Sequence, residues 1–583
     1  MSEFEDAHRG VKRPVSATLR RLVAALTLTV GVFVPVGSAH AAAVSTPAGG
    51  PHGRVVLRTR SGQAAAVAAH ITAEGGQVEH VLPALDMVVA TPTATEDLAA
   101  IDGVTGVQAD EQAAHTGDFT SLLGEAGQWL GALLKPPTTM DRVDRAIGAD
   151  LLWGKGITGA GVDVAVIDSG IAKVPGLDGS RVVEGPDLSF DSQFPEGEHN
   201  DGYGHGTHLA GIVAGNDGKG FKGVAPGARL VDVKVGSYDG AVDVSQVLAA
   251  IDWVVQNRNN GLNIKVINLS YGTDGTQDPR TDPLTYAVEV AWRAGITVVV
   301  AGGNDGITRN TLTDPAYDPY VIAVGADDLG LTKNLVDLPI DDAVAEFSSR
   351  STGRSVDLIA PGVSIVSQRV PGSWIDQNYG SATYQTDYFR GSGTSQAAAV
   401  VSGSVALLLQ KDPKLTPDQV KDLLVRSADG LLLTPTSAQG AGRIDVATAA
   451  ALAPRAVTQT WPKATGTGSI EKARGSSHVA DGGTELTGER DIMGVAWNGG
   501  AWAKASLAGT SWDKGRWNGT LWTGAAWSGL VWPTADWSGD SWAGRSWTGR
   551  SWTGRSWTAG NWTGRSWTGR SWTGRSWTGG SWQ

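Results

Sequence analysis

The chain has 583 residues, a formal net charge of −12 and no cysteine. Its length exceeds one ordinary domain, its acidic body argues against a nucleic-acid partner, and the lack of cysteine excludes disulfide cross-links. Residues 491–583 carry nine Lys and Arg against four Asp and Glu, so this tail alone is basic and suited to an anionic surface.

The first 41 residues have the pattern of a secretory signal peptide. Basic residues precede an apolar run from Leu22 to Val34, and Ala39-His40-Ala41 forms a small-x-small cleavage site. Pro35 ends the run before it reaches the ~20 residues of a membrane-spanning helix. We therefore expect a secreted protein, with a membrane anchor as the alternative.

Residues 54–110 predict a small α+β domain. Short apolar strands and two helical stretches follow one another in the order βαββαβ. A domain of this size directly behind a signal peptide suggests a pro-segment, and the alternative is a generic ferredoxin-like domain with no inhibitory role. Residues 111–140 are a polar linker, in which we place the maturation cleavage.

Residues 141–453 predict a larger α/β domain. Apolar runs alternate with helical stretches, which indicates a mainly parallel sheet, buried on both faces, with flanking helices. Ligands of such sheets bind beyond the carboxyl ends of the strands. The predicted strands are 162–167, 229–235, 266–269, 297–300 and 321–324, and the predicted helices are 244–256, 284–294, 397–409 and 417–427.

Polar residues next to these elements supply the groups that nucleophilic catalysis needs. Asp168 follows the first strand, His205 opens a helical run, and Ser395 stands between a Gly-rich turn and a helix. A hydroxyl nucleophile requires a base within hydrogen-bond reach and an acceptor that orients the base. Asn304, after strand 297–300, can supply an amide to an oxyanion together with the N–H of Ser395.

Four motifs in this order resemble the subtilisin-like (S8) serine peptidases: Val166–Gly170, Gly204–His208, Ala301–Asn304 and Gly393–Ser395. The resemblance covers residues 54–453 and implies a subtilisin-like fold. It implies a self-processed serine endopeptidase in which Asp168, His205 and Ser395 are the triad, Asn304 binds the oxyanion, and no cofactor is required. Residues 54–110 would be its inhibitor-type propeptide, and the mature form a monomer acting on polypeptides. The alternative is an inactive scaffold that presents the tail.

The resemblance extends to substrate binding. Extended peptides are held by pairing with strand edges, and the S1 pocket would contain no acid except the nearby Asp305. We therefore expect an uncharged, apolar P1 residue. The implied substrate-binding residues are Ser270, Tyr271 and Gly272 on one strand, Gly236 and Ser237 on the facing strand, and Gly302 and Gly303 beside the pocket.

Three further features are left open by the motifs. His208 is expected to be structural, since the family pattern assigns the base to His205. Gln396 stands where the family usually has Met, and its amide beside the oxyanion site leaves the turnover uncertain. Structural calcium is compatible with loops that contain Asp187, Asp191, Asp314 and Asp318, although no ligand spacing identifies a site.

The C-terminal region has two parts. Residues 454–490 are rich in Gly, Ser and Thr and predict a linker. From Trp497 to Trp582 a five-residue period offers 18 positions, of which Trp fills 17 and Leu507 the other.

This period restricts the structure of the tail. Five residues turn a helix by about 140° beyond a full turn, so the indoles cannot form one helical stripe. A glycine in nearly every unit suggests repeated turns instead. Two roles stay open for residues 491–583: attachment to cell-wall glycan or an anionic polymer through aromatic stacking, and a low-complexity spacer or self-association segment.

Overall fold

The computed structural model describes residues 55–60, 62–82, 87–93, 98–109, 137–177, 179–193, 197–275, 277–307, 309–330, 342–432, 434–481, 484–522, 535–538, 553–558 and 561–565. The predicted signal peptide, most of the linker 111–140 and most repeats after Trp522 lie outside this part of the chain. The chain divides into two compact units, residues 1–122 and 123–583. Every helix in the described part is too short or too polar to cross a membrane.

The first unit is a four-stranded antiparallel sheet with a helix packed on it. The strand order is β2-β3-β1-β4, as the predicted βαββαβ order allows, but only a 3-10 turn at Leu98–Ala100 is described where a second helix was expected. Leu57, Val67, Ile71 and Val88 are buried in its core. Its elements are β1 (Val55–Thr59), α1 (Ala64–Ala73), β2 (Gln77–Leu82), β3 (Met87–Thr91) and β4 (Val104–Ala109).

The second unit contains the predicted α/β domain, and the structure confirms the fold class. Its sheet has the order β11-β10-β9-β8-β5-β7-β6, with β12 beside β10, and all pairs except β10 with β11 are parallel. The strands are β5 (Asp163–Asp168), β6 (Val182–Asp187), β7 (Arg229–Lys234), β8 (Ile264–Leu269), β9 (Thr297–Ala301), β10 (Ile322–Asp328), β11 (Ala343–Val344) and β12 (Leu358–Pro361).

Helices and a small antiparallel sheet cover this core. The helices up to residue 451 are α2 (Met140–Ile147), α3 (Ala149–Trp153), α4 (His205–Ala214), α5 (Val244–Asn257), α6 (Pro283–Arg293), α7 (Trp374–Asn378), α8 (Thr394–Lys411), α9 (Pro417–Ser427), α10 (Thr436–Gln439) and α11 (Val446–Ala451). The small sheet has the order β13-β15-β14, formed by β13 (Ile365–Gln368), β14 (Thr383–Tyr384) and β15 (Tyr388–Gly391).

The sheet topology places one strand end at the centre of the molecule. Strand β5 lies between β7 and β8: after β5 the chain forms β6 and then β7 on one side of it, and then crosses to form β8 on the other side. A crevice opens at such a switch point, beyond the carboxyl ends of the strands. Residue Asp168 ends β5 and therefore lies at this crevice.

Residues 454–490 differ from the linker that their composition predicts. They contain α12 (Ile470–Arg474), β16 (His478–Asp481) and β17 (Thr484–Glu485). The side chain of Arg474 is fully buried and donates from Nε to Asp243 at 2.6 Å. Removing one partner of a buried ion pair costs about 3–5 kcal/mol, so this contact holds the segment on the α/β domain.

The first Trp repeats also pack on the α/β domain. They form α13 (Gly499–Ala508), β18 (Trp512–Asp513), β19 (Arg516–Trp517) and β20 (Thr520–Leu521). The indoles of Trp502 and Trp517 both donate to one oxygen of Asp252 on α5, at 3.0 and 2.9 Å, and Ser506 donates to the other oxygen. A buried carboxylate is thus satisfied by the repeat itself.

The turns between these short strands explain the glycines at positions 515 and 519. Lys514 and Gly515 have φ values of 49° and 76°, and Asn518 and Gly519 have 50° and 82°. Positive φ at both central residues is the type I′ hairpin turn, which favours Asn-Gly. The expectation of repeated turns is confirmed at these two positions. Backbone pairing is also described for β21 (Ala535–Ser538) with β16, and for β22 (Thr553–Thr558) with β23 (Asn561–Arg565).

Leu507 occupies a position where the fold does not need an indole. Trp502 and Leu507 share helix α13, and five residues place them about 140° apart around its axis. Trp502 is fully buried, whereas Leu507 is 62% exposed. The exception to the repeat is therefore the position that the helix turns towards solvent.

We predict that Asp252→Leu destabilises the protein by about 3 kcal/mol or more. The substitution leaves two indole N–H groups and one hydroxyl buried without their acceptor, at about 1–3 kcal/mol each. Chemical denaturation followed by tryptophan fluorescence measures the loss. Asp513→Leu, at an exposed repeat position, is the control and should change stability by less than about 0.5 kcal/mol. Equal stability of the two variants would refute the role of Asp252.

Candidate active site

Asp168 and His205 meet at the crevice beyond β5. Nδ1 of His205, the first residue of α4, lies 2.8 Å from Oδ1 of Asp168, and both side chains are fully buried. A carboxylate only accepts hydrogen bonds, so Nδ1 carries the proton and Nε2 is left as the basic nitrogen. Burial raises the pKa of Asp168, and the adjacent His205 opposes that rise. The pair has the orientation that a general base requires.

Ser169 and Asp201 join the end of β5 to the start of α4. The Ser169 hydroxyl donates to Asp201 Oδ1 at 2.9 Å and accepts from the N–H of Gly206 at 2.9 Å. Asp201 also accepts from the N–H groups of Gly204 and Thr207 at 2.7 and 2.8 Å. These bonds satisfy donors that a helix start otherwise leaves open, and they fix the backbone on both sides of His205.

Glycine is required at position 206 by this close approach. A Cβ there would lie 2.2 Å from the carbonyl oxygen of Gly170 and 3.2 Å from Cβ of Asp168. Any side chain would push α4 away from the end of β5. The glycine that follows His205 therefore has a direct steric cause.

Lys234 and Asp232, on the neighbouring strand β7, support the turn after Asp168. The buried ammonium of Lys234 donates to the carbonyl oxygens of Ser169 and Gly236 and pairs with Asp191 at 2.9 Å. Asp232 accepts from the N–H of Ile171 at 3.1 Å. Burial raises the pKa of Asp232 to about 7.

Ser395 and Asn304 lie together at the start of α8. Asn304 Oδ1 accepts from the N–H of Thr394 at 2.9 Å and from its hydroxyl at 3.0 Å. A backbone N–H can only donate, so these bonds identify the oxygen of the amide and leave its NH₂ group directed elsewhere. Thr394 thus orients the amide that we expect to act as an oxyanion donor.

One cleft collects most of the predicted substrate-binding residues. It has an empty volume of about 300 Å³ and is lined by Ser270, Tyr271, Gly272, Ala301, Gly303, Asn304, Asp305, Thr313, Thr394 and Ser395. Arg309 pairs with Asp305 at 3.7 Å, which reduces the negative charge beside the cleft. Gly302 is not part of the lining.

Gly236 and Ser237 lie outside this lining, at the carboxyl end of β7. The N–H of Gly236 donates to the carbonyl oxygen of Asp168 at 3.2 Å, and Ser237 begins a turn closed by its bond with Ala241. This segment is therefore next to the Asp168–His205 pair, while the other predicted substrate-binding residues are next to Ser395. Helices α4 and α8, which carry His205 and Ser395, pack against each other.

His208 and Gln396 are both buried but differ in their partners. His208 donates from Nε2 to the carbonyl oxygen of Phe389 at 3.2 Å, and burial lowers its pKa to about 3, which supports a structural role. Gln396 makes no hydrogen bond through either amide atom to the described residues. Its buried amide is thus a local cost to stability beside Ser395.

The described residues contain no group of three His, Cys, Asp or Glu side chains that could hold a metal ion. Of the loop carboxylates named for calcium, Asp187 accepts from Ser189 and from the N–H of His199, and Asp191 pairs with Lys234. Calcium binding stays a prediction without an assigned site.

Sequence reasoning missed the residues that orient the site, namely Ser169, Asp201, Lys234 and Thr394. Ser169 and Thr394 are adjacent to Asp168 and Ser395 and belong to the quoted motifs, so the motifs contained a signal for them. Asp201 and Lys234 are isolated polar residues in sequence. Their roles depend on the contact between β5, β7 and α4.

Comparisons with known proteins show which family the chain resembles. The subtilase family model matches residues 159–442. Serine protease AprX of Bacillus subtilis (strain 168) is 38% identical over 303 residues, covering 50% of this chain and 66% of AprX. Subtilisin DY of Bacillus licheniformis is 36% identical over 290 residues, covering 49% of this chain and 90% of subtilisin DY. The crystal structure of fervidolysin from Fervidobacterium pennivorans, described as a keratinolytic enzyme related to subtilisin, matches with a TM-score of 0.44 and 26% identity. The match covers 69% of this chain and 61% of fervidolysin.

We predict that Gln396→Met raises the free energy of unfolding by about 1–3 kcal/mol, because it removes a buried amide without partners at similar side-chain size. Chemical denaturation of the two proteins measures the change. Gln246→Met is the matched control: Gln246 is equally buried, but it donates to Leu188 and accepts from the N–H of Asp243. The control should lose stability, and a loss in both variants would contradict the prediction.

The raised pKa of Asp232 predicts a pH dependence of stability. Between about pH 4, the usual value for an unfolded Asp, and about pH 7 the folded chain holds a proton that the unfolded chain has released. The contribution of Asp232 to the free energy of unfolding is therefore fully present at low pH and falls as the pH rises from about 4 to about 7. Asp232→Asn keeps an acceptor for Ile171 but cannot ionise. Its stability relative to wild type should increase from pH 4 to pH 8 in denaturation experiments, and a constant difference would exclude this explanation.

Proposed function

The chain belongs to the subtilase family of serine-type endopeptidases, and from this premise we propose that it is secreted and cleaves polypeptides through Asp168, His205 and Ser395. The observation that carries the proposal is the buried hydrogen bond between Asp168 and His205, which assigns the proton to Nδ1 and the basic role to Nε2. The arrangement of Asn304 beside Ser395 supports it.

The proposed reaction has two stages. Nε2 of His205 takes the proton of the Ser395 hydroxyl as Oγ attacks the peptide carbonyl, while the Asn304 amide and the N–H of Ser395 donate to the oxyanion. His205 then gives the proton to the leaving amine, the C–N bond breaks, and an acyl ester on Ser395 remains. Water, deprotonated by His205, attacks the ester; the bond between the acyl carbon and Ser395 Oγ then breaks, and His205 gives its proton to that oxygen as the acid leaves. Throughout, the carboxylate of Asp168 stabilises the charged imidazole.

The cleft favours an uncharged P1 residue. Gly272 and Gly303 expose backbone in its lining, and the acid that lines it, Asp305, is paired with Arg309. A Cβ at Gly303 would lie 2.7 Å from Thr313 and 2.8 Å from Ser349, so neighbouring side chains already fill the space beside this glycine. A buried charge without a partner is unfavourable in such a site.

Self-processing follows from the proposed activity. The first unit has its own core and lies before residues 111–140, where a cut would release it. We propose that it is the propeptide, which inhibits the peptidase until that cut is made. A monomeric mature form is part of the same proposal.

The alternative function, attachment to cell-wall glycan or an anionic polymer, applies to the later repeats. Trp502 and Trp517 direct their indoles into the protein, where they bind Asp252. The repeats from Trp497 to Trp522 therefore serve packing in this proposal, and glycan binding stays a prediction for those that follow.

We predict that Ser395→Ala abolishes both activity and processing. Loss of the nucleophile should lower kcat by more than about 1,000-fold, and a serine-directed fluorophosphonate should label the wild type but not the variant. Ser404→Ala is the control on the same helix, where the hydroxyl donates to the carbonyl oxygen of Val400 within α8. Identical processing of wild type and Ser395→Ala, with no labelling of either, would instead favour the inactive scaffold.

A further inference from the structure

We take two segments as the walls of the proposed peptide-binding site, because they carry the predicted substrate-binding residues: the first lines the cleft beside Ser395, and the second lies outside that lining, next to Asp168 and His205. The first wall is residues 270–274, which continue from β8, and the second wall is residues 236–243, which connect β7 to α5. An extended peptide bound between two strands contacts both. The distance between the walls therefore affects the binding of long substrates more than that of short ones.

Residues 469–481 and 484–493, which we call the C-terminal brace, contact the first wall. The hydroxyl of Thr273 donates to the carbonyl oxygen of Ala473 at 2.5 Å. Asp274 accepts from the N–H and the hydroxyl of Ser476 at 2.5 and 2.8 Å. These contacts begin one residue beyond Gly272, which lines the cleft.

The brace also contacts the second wall. The fully buried guanidinium of Arg474 donates to Asp243, the N-cap residue of α5 and the last residue of that wall. The N–H of Ile492 donates to Ser245 at 2.8 Å, in the first turn of the same helix. The brace and the second wall also share a small apolar core, which consists of Phe190, Ala241, Val479, Leu486, Ile492 and Met493.

Arg474 connects these contacts to one another. Besides Asp243, it donates to the carbonyl oxygens of Gly488 and Arg490 and pairs with Glu471 at 3.2 Å. A planar guanidinium has five donors in a fixed geometry, which lysine cannot reproduce. Its neighbour Ala473 bonds the first wall, so one short helix joins both walls.

We propose that the C-terminal brace sets the spacing of the two cleft walls and that Arg474 is its positioning residue. The brace begins after residue 442, where the match to the subtilase family ends. It would therefore be a determinant of extended-peptide binding that this chain adds to the peptidase domain. The inference rests on the proposed endopeptidase function.

The test compares the wild type, in the processed form that it is proposed to take after secretion, with Arg474→Met and Arg474→Lys on two substrates. One is a peptide that spans P4 to P2′, and the other is an amino-acid ester that occupies S1 alone. Each rate is divided by the concentration of active sites that a fluorophosphonate labels. A variant that is partly unfolded is then compared through its folded fraction alone. Arg443→Met is the matched control, since Arg443 forms a buried pair with Asp342 and bonds to the Ile359 region of β12, at another edge of the sheet.

We expect Arg474→Met to lower kcat/KM for the peptide about tenfold or more, mainly by raising KM. For the ester, kcat/KM should change by less than about twofold. Arg474→Lys should recover part of the loss, and Arg443→Met should show no difference between substrates. Equal effects on peptide and ester, or no effect on either, would overturn the positioning role of Arg474. The proposed function would still stand in that case, provided that the wild type is labelled and active. An unlabelled, inactive wild type would overturn both.

Discussion

The carboxylate of Asp201 links the strand that ends in Asp168 to the helix that begins with His205. It receives hydrogen bonds from Ser169 after β5 and from Gly204 and Thr207 at the start of α4. Without these bonds the two elements would be free to shift, and the 2.8 Å contact between Asp168 and His205 depends on their alignment. A buried group that never meets substrate thus sets the geometry on which the proposed chemistry relies.

The parts of the fold with local patterns were predictable. Continuous apolar runs identified β5, β7, β8 and β9, and motif order located Asp168, His205, Asn304 and Ser395. The packing of residues 454–490 was not, because Gly, Ser and Thr suggest exposure and only a partner 231 residues earlier, Asp243, allows Arg474 to be buried. The first helix turn of α8 was also missed, since Thr394 and Ser395 are poor helix formers that the surrounding contacts place in a helix.

The period of five is compatible with more than one backbone conformation. In α13 it separates a buried Trp502 from an exposed Leu507, and in β18 and β19 it places Trp512 opposite Trp517 across a hairpin. Trp497, which precedes α13, lies next to the indole rings of Trp502 in α13 and Trp517 in β19. The regular spacing therefore does not report a regular structure, and each unit's role depends on the element into which it folds.

The bond between Arg474 and Asp243 also has a consequence for the order of folding. Chains fold as they emerge, from the N-terminal end first, and contacts between distant residues form slowly because long loops must close. The second wall, which ends at Asp243, is synthesised early, whereas Arg474, which bonds to Asp243, follows 231 residues later. The bond to Asp243 can therefore form only after 474 of the 583 residues have been synthesised, and the proposed spacing of the two walls is set only when most of the chain exists.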